Sequence, residues 1–324
     1  MKKIIVLTTG GTIAMKYDEA TGGLIPAVSG KELMAAVPAL QELDCEIEVQ
    51  EFSNVPSGHV TPQMMLDLGK MINQLAKDGA ADCFVVTHGT DTLEETAYLL
   101  DLTVAEGIPV CVTGAMRGAS ETSPDGPGNI LAAMQTVLTE EAKEAGVLVV
   151  LDDEIHAAAE VTKTHSTSTR TFASPFWGPL GRVYIDGVDF RRKVYRQKKI
   201  MTEKLEEKVY LLKIAAGMDA LLFDCLIEKG AKGIVVEALG CGNVPPAVKC
   251  GITAARKAGI VVVLATRVHG GRVLPAYSYE GSAGSMKDLG LLLTQDLSGQ
   301  KARLKLMLLL GREDKAEENL KEFF

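Results

Sequence analysis

Residues 83–104 read CFVVTHGTDTLEETAYLLDLTV. An apolar run closes on Thr87, a polar turn follows, and Leu93, Ala97, Leu100 and Val104 then recur at helical spacing. Strand, turn and helix succeed one another directly, which is the unit from which α/β folds are built. The same grammar opens the chain: VLTTGGTIAM, residues 6–15, is an apolar run followed by Thr-x-Gly-Thr. Both stretches read as strand ends that hold a hydroxyl in place.

Working outward, apolar strands are expected at Ile4–Thr9, Glu46–Phe52, Cys83–Thr87, Val110–Thr113 and Val147–Leu151, with helical patterns between them. One helix announces its own limits: Thr61 as N-cap, Pro62 in the first turn and Gly79 beyond the end. Ser29 caps another. The alternation predicts a mostly parallel sheet. It breaks at residues 163–190, where Asp186-Gly187 between short alternating runs signals a hairpin. The basic stretch RRKVYRQKK, residues 191–199, reads as a solvated linker rather than a nucleic-acid patch. From Val209 a second strand–helix alternation starts, and two helical patterns close the chain. The expected fold is α/β in two domains: a larger N-terminal one over 1–190, a linker over 191–208, and a smaller Rossmann-like one over 209–324.

A net charge of −8 and a sequence pI near 5.3 argue against non-specific binding of nucleic acid or an anionic membrane. No apolar run approaches the length of a membrane span. The opening MKKIIVLTTGG has two lysines before an apolar run, but Ile4–Leu7 is too short for a secretory leader, and we read it as the first strand. Six cysteines are scattered without a Cys-x-x-Cys pair, which points to a reducing cytoplasm. The five histidines show no metal-ligand spacing.

In a doubly wound sheet, ligands bind beyond the carboxyl ends of the parallel strands. Strands ending at Thr9, Thr87 and Thr113 would bring TGGT, HGTD and TGAMRGASETSPDGPGN to one edge. No Gly-x-Gly-x-x-Gly follows the first strand, SGKE at residues 29–32 lacks the rest of a phosphate loop, and no Gly-x-Ser-x-Gly elbow occurs. A threonine hydroxyl is a poor nucleophile unless a base or a lysine–carboxylate relay activates it. Thr90-Asp91 sets a hydroxyl beside a carboxylate at a helix N-terminus, and EVTKTHSTS supplies Lys163. The plainer alternative is that Thr90 or Asp91 only caps the helix.

Taken together, TGGTIA, VTHGTDTLEETAYLLDLTV, GAMR with SPDGPGN, and EVTKT resemble the bacterial L-asparaginase/glutaminase family of amidohydrolases, and the similarity runs over nearly the whole chain. The resemblance implies hydrolysis of a small amino-acid amide to a carboxylate and ammonia through an acyl-threonine intermediate, with no metal or organic cofactor. It implies a homo-oligomer, a tetramer of close dimers or a dimer, in which a neighbouring subunit completes each site. Carried over residue by residue, Thr12 is the nucleophile, and Thr90, Asp91 and Lys163 form the relay. Asp91 also receives the substrate α-amino group. Gly11 and Gly89 bring backbone donors close to the amide. Ser57 contacts the α-carboxylate beside Gly58, Ala115 lines the site through its backbone, and Glu280 approaches the amine of a neighbouring subunit's substrate.

Three positions depart from the family pattern. The tyrosine common on the loop after the nucleophile is absent: Ala20 or Leu24 stands there, with Tyr17 earlier in the loop as a candidate replacement. Gly58 cannot donate a side-chain hydrogen bond at the carboxylate contact, where His59 is the compensating candidate. Cys241 stands where some relatives carry asparagine. The resemblance therefore leads to L-asparagine hydrolysis. An amidohydrolase of the same mechanism acting on L-glutamine, D-asparagine or another small amide is the first alternative, and a non-catalytic amino-acid-binding module the second.

Overall fold

Alternate residues of the first strand serve two different cores. Ile4 and Val6 enter one hydrophobic cluster, Ile5 and Leu7 the other, because successive side chains of a strand point to opposite faces. The computed structural model describes residues 1–26, 28–314 and 317–324, and the backbone alone of residues 24–26, 317 and 318. The chain divides into two compact units, Met1–Lys199 and Ile200–Phe324.

The first unit runs β1 (Lys2–Thr8), β2 (Met15–Asp18), β3 (Gly23–Pro26), α1 (Gly30–Ala35), β4 (Cys45–Glu51), α2 (Pro62–Lys77), β5 (Cys83–Thr87), α3 (Leu93–Thr103), β6 (Val110–Thr113), α4 (Gly126–Val137), α5 (Glu141–Ala145), β7 (Val147–Leu151), β8 (Glu154–Ala157), β9 (Thr162–Lys163), β10 (Phe172–Ala173), β11 (Gly181–Tyr184) and β12 (Gly187–Phe190). Eight strands form one sheet in the order β12-β11-β8-β7-β6-β5-β1-β4. From β4 to β7 the neighbours are parallel; β8, β11 and β12 extend the sheet antiparallel. On one face lie Leu33 of α1 and Ile130, Met134 and Val137 of α4; on the other, Leu68 and Ile72 of α2 with Leu93, Ala97 and Leu100 of α3. Covering on both faces is why the central strands β1, β5, β6 and β7 are apolar without alternation.

Local chemistry sets the starts of α1 and α2 as expected. The Ser29 hydroxyl accepts from the Glu32 N–H while the Glu32 carboxylate reaches back to Ser29, a capping box. Thr61 accepts from the Met64 N–H at the start of α2. The hairpin β11–β12 forms, but it turns at Ile185-Asp186, one residue before the expected Asp186-Gly187, because Gly187 already pairs with Tyr184 in the ladder. The stretch 191–199 differs from a free linker. Arg192 donates to the Glu160 carboxylate and the Gly178 carbonyl. Lys199 donates to the Asp101 carbonyl at 2.5 Å, both side chains being largely buried. Burial alone would strip such a pair of its hydration, so the two charges are kept inside by each other.

The second unit contains β13 (Val209–Lys213), α6 (Leu221–Glu228), β14 (Gly233–Ala238), α7 (Pro246–Lys257), β15 (Val261–Thr266), α8 (Ala283–Asp288), β16 (Leu292–Leu293), α9 (Gly299–Gly311) and α10 (Glu317–Leu320). Its four strands are parallel in the order β13-β14-β15-β16. Ile234, Val236, Val262 and Leu264 pack there with Val248 and Ile252 of α7.

Candidate active site

Thr8, Thr87 and Thr113 are register partners across β1, β5 and β6, so the loops that follow leave the sheet at one level. They are then tied together. The Thr9 N–H and hydroxyl both donate to the Thr87 carbonyl at 3.1 Å, and the Thr9 carbonyl accepts from the Val55 N–H. The His88 N–H donates to the Thr113 carbonyl at 2.8 Å. The loop after β1 turns through Gly10 and Gly11 at φ +99° and +84°, a region that costs any side-chain-bearing residue strain. A Cβ on Gly11 would lie 2.1 Å from the Gly89 Cα, and one on Gly89 would lie 2.8 Å from Ser57 Cβ and Oγ. TGGT, HGTD and the Ser57 turn therefore meet backbone to backbone.

Thr12 opens a 3-10 turn, Thr12–Ala14, half-exposed at the edge while Ile13 and Ala14 anchor the turn in the core. Thr90 is buried, and Asp91 keeps 74% of its side chain exposed. Lys163 Nζ donates to Thr90 Oγ1 at 3.0 Å and pairs with Asp91 Oδ1 at 2.9 Å. The alternative of Thr90 or Asp91 as a helix cap does not hold. The residue flanking α3 is Thr92, which makes no side-chain cap and donates its hydroxyl to the Ser57 carbonyl at 2.7 Å. The Asp91 carboxylate is engaged by Lys163 instead.

Ser57 is buried in a 3-10 turn, and its Oγ accepts from the Asp91 N–H at 3.1 Å. A hydroxyl that accepts there still has its own proton to donate. Gly58 and His59 are exposed, and a Cβ on Gly58 would meet nothing within 4 Å. Ala115 is fully buried in the core cluster that includes Ile13, so its methyl is packing and only its backbone is left for another role. Tyr17 is 58% exposed and stands in register opposite position 24 in the β2–β3 hairpin, with Ala20 in the turn between. The side chain of Leu24 lies outside the described residues. Glu280 belongs to the second unit, where it faces Lys249 at 3.5 Å and is 63% exposed. Cys241, in the same unit, is partly buried beside Asn243.

Two residues that the sequence reading passed over stand next to this cluster. His88 is fully buried; its Nδ1 is 2.7 Å from the Gly89 carbonyl and its Nε2 is 2.9 Å from Thr96 Oγ1. A carbonyl only accepts, so Nδ1 carries the proton and Nε2 accepts from the hydroxyl. Burial pushes this imidazole down to about 4, so it is neutral at physiological pH. Glu94, in the first turn of α3, is buried as well and contacts the strand that carries Lys163. The only signal for either was its place inside HGTDTLE. Two clefts, of 390 Å³ beside Met34, Leu40 and Ile47 and of 220 Å³ beside Ile13, Arg117 and Ile130, do not include Thr90, Asp91 or Lys163. Convergence of polar groups at the sheet edge marks the site.

Strand-edge hydroxyls, a lysine–carboxylate pair and two α/β units describe a class, and the comparisons give its name. Residues 3–196 match the asparaginase N-terminal family and residues 208–324 the glutaminase/asparaginase C-terminal domain. This chain belongs to the asparaginase family. It is 39% identical over 322 residues to a probable L-asparaginase of Deinococcus radiodurans, covering 97% of this chain and 96% of that one. It is 36% identical over 310 residues to an L-asparaginase of Bacillus licheniformis, covering 96% of each. The crystal structure of a probable cytoplasmic L-asparaginase from Campylobacter jejuni superposes with a TM-score of 0.88 at 34% identity, over 100% of this chain and 99% of that one.

Proposed function

We propose that this chain hydrolyses L-asparagine to L-aspartate and ammonia, with Thr12 as the nucleophile. The observation that carries the reading is Lys163 Nζ at 3.0 Å from Thr90 Oγ1 and 2.9 Å from Asp91 Oδ1, beside the contact of Gly11 with Gly89. The Thr12 oxygen forms a bond to the amide carbon, and its proton leaves along Thr90 and Lys163. The carbon–nitrogen bond then breaks, ammonia departs with the proton it needs, and water hydrolyses the Thr12 ester. Backbone N–H groups of the two glycine loops suit the developing oxyanion. Asp91 is exposed enough to meet a substrate ammonium, and the Ser57 hydroxyl retains a proton for the carboxylate. His88, neutral and fully buried, takes no part in the proton transfer. No step draws on a metal or organic cofactor.

The chain works as a homo-oligomer in this reading, tetramer or dimer, with Glu280 of one subunit serving the site of the next, and it resides in the cytoplasm. Size-exclusion chromatography with light scattering tests the assembly; a monomer with full activity would contradict it. The open space at Gly58 favours one variation, the same chemistry on L-glutamine, D-asparagine or another small amide.

The test is ammonia release from L-Asn, D-Asn, L-Gln and other small amides, with Thr12→Ala alongside. Fastest turnover of L-Asn and a dead variant support the reading. Fastest turnover of another amide moves the substrate, and an active Thr12→Ala removes the nucleophile.

A further inference from the structure

Lys163 sits on an unusually slight support. Its strand β9 has two residues and, among the described residues, pairs with the two-residue β10, outside the main sheet. A lysine has four rotatable bonds, so holding Nζ on two acceptors at once requires that its backbone be fixed against the element that carries them. Those acceptors, Thr90 and Asp91, precede α3.

The structure contains such a fixing group. Glu94, in the first turn of α3, is 8% exposed. Its Oε1 accepts from the Thr162 hydroxyl at 3.1 Å and from the Lys163 N–H at 3.4 Å. One carboxylate oxygen thus joins both residues of β9 to the helix whose N-terminal approach holds Thr90 and Asp91. The position at the helix start offsets part of the cost of burying the charge, since the N-terminal dipole favours an anion there. Val161 and Phe172 pack with Leu93 and Ala97 of α3, which closes the same contact with apolar surface.

We infer that Glu94 is a positioning residue: it clamps β9 to α3 and thereby sets Lys163 Nζ between Thr90 and Asp91. The inference rests on the proposed catalytic reading for its kinetic consequence but not for its geometric one. Glu94 touches no reacting atom and acts through Lys163.

Two readouts test it on the full-length protein. The first is the rate at which trinitrobenzenesulfonate modifies Lys163, followed by peptide mass spectrometry; the second is the kinetics of amide hydrolysis. Glu94→Ala releases the strand, so Lys163, 16% exposed in the wild type, reacts at least about fivefold faster. The value of kcat falls by about tenfold to a hundredfold, the range expected for displacement of a catalytic group by about 1 Å, while KM stays within about twofold. Glu94→Gln keeps the accepting oxygen and restores most of both. Thr162→Val removes the hydroxyl donor and gives an intermediate labelling rate and kcat. Glu94→Ala with wild-type labelling and kcat overturns the clamp. So does Glu94→Gln as impaired as Glu94→Ala, which would assign the effect to charge. Should Glu94→Ala not fold, Thr162→Val decides: wild-type labelling there overturns the clamp. A wild type that hydrolyses no amide defeats the functional reading alone, and labelling then judges Glu94 by itself.

Discussion

Gly11 and Gly89 touch through bare backbone: a Cβ on the first would overlap the Cα of the second, at 2.1 Å. The loop of Thr12 and the loop of Thr90 can come this close only if neither residue carries a side chain. Gly11→Ala adds a clash to the strain of a positive φ, which alone costs about 1–2 kcal/mol. The variant is expected to unfold several degrees lower and to lose at least about a hundredfold in activity. Thermal unfolding and an ammonia assay read both, and an alanine variant with an unchanged midpoint contradicts the contact.

Lys163→Arg distinguishes a proton carrier from a fixed charge. Arginine keeps the partner for Asp91, but its guanidinium does not give up a proton in a protein. We expect kcat to fall by about 10²–10⁴, the range of a lost acid–base group, with the fold intact by circular dichroism. Activity near the wild-type level would reduce Lys163 to an electrostatic partner.

His88 gives the fold a pH dependence of definite sign. Its ordinary value of 6.5 is brought down to about 4 by burial. Below 6.5 the unfolded chain takes a proton that the folded chain refuses until about 4, so stability falls as pH drops through this window and is flat above it. Between pH 7 and pH 5 the loss amounts to about 2 kcal/mol. Urea unfolding at the two pH values should show this difference reduced in His88→Gln. Equal pH dependence in variant and wild type would show that His88 is not the source.

Gly58→Gln probes recognition without disturbing the fold. A side chain there meets open space, and exposed substitutions of this kind stay within about 0.5 kcal/mol. The variant should fold as the wild type does and change KM or the ratio of L-Asn to L-Gln turnover by at least about threefold. Identical kinetics would place position 58 away from the substrate.

What was legible in the sequence was local. The strand Cys83–Thr87, the cap at Thr61-Pro62 and the hairpin around Asp186 depend on neighbours within a few residues, and their chemistry is written in those neighbours. Convergence of the three loops followed from a rule about parallel sheets. Lys163 stood out as an available lysine, but only the family motifs tied it to Thr90, since nothing in its spacing reveals a partner 73 residues away. Glu94 escaped notice because Thr162 and Lys163, which donate to it, lie on another strand. Thr90 and Asp91 looked like caps because sequence alone cannot tell a carboxylate facing a backbone N–H from one facing a distant lysine. The anchoring of Lys199 on Asp101 escaped notice for the same reason.

The register of Thr8 with Thr87 has a consequence for how the protein comes into being. The bond that ties their loops spans 78 residues, and the one from Lys163 to Thr90 spans a further 73. No fragment ending before Lys163 contains the whole arrangement, however well its first strands have paired. At about 5–20 residues per second a ribosome spends on the order of ten seconds on that stretch, and throughout it the nascent chain holds Thr90 without the lysine that donates to it. The contact from Lys163 to Thr90 thus forms only after β9 has been made, so it marks a late stage in the folding of the first unit.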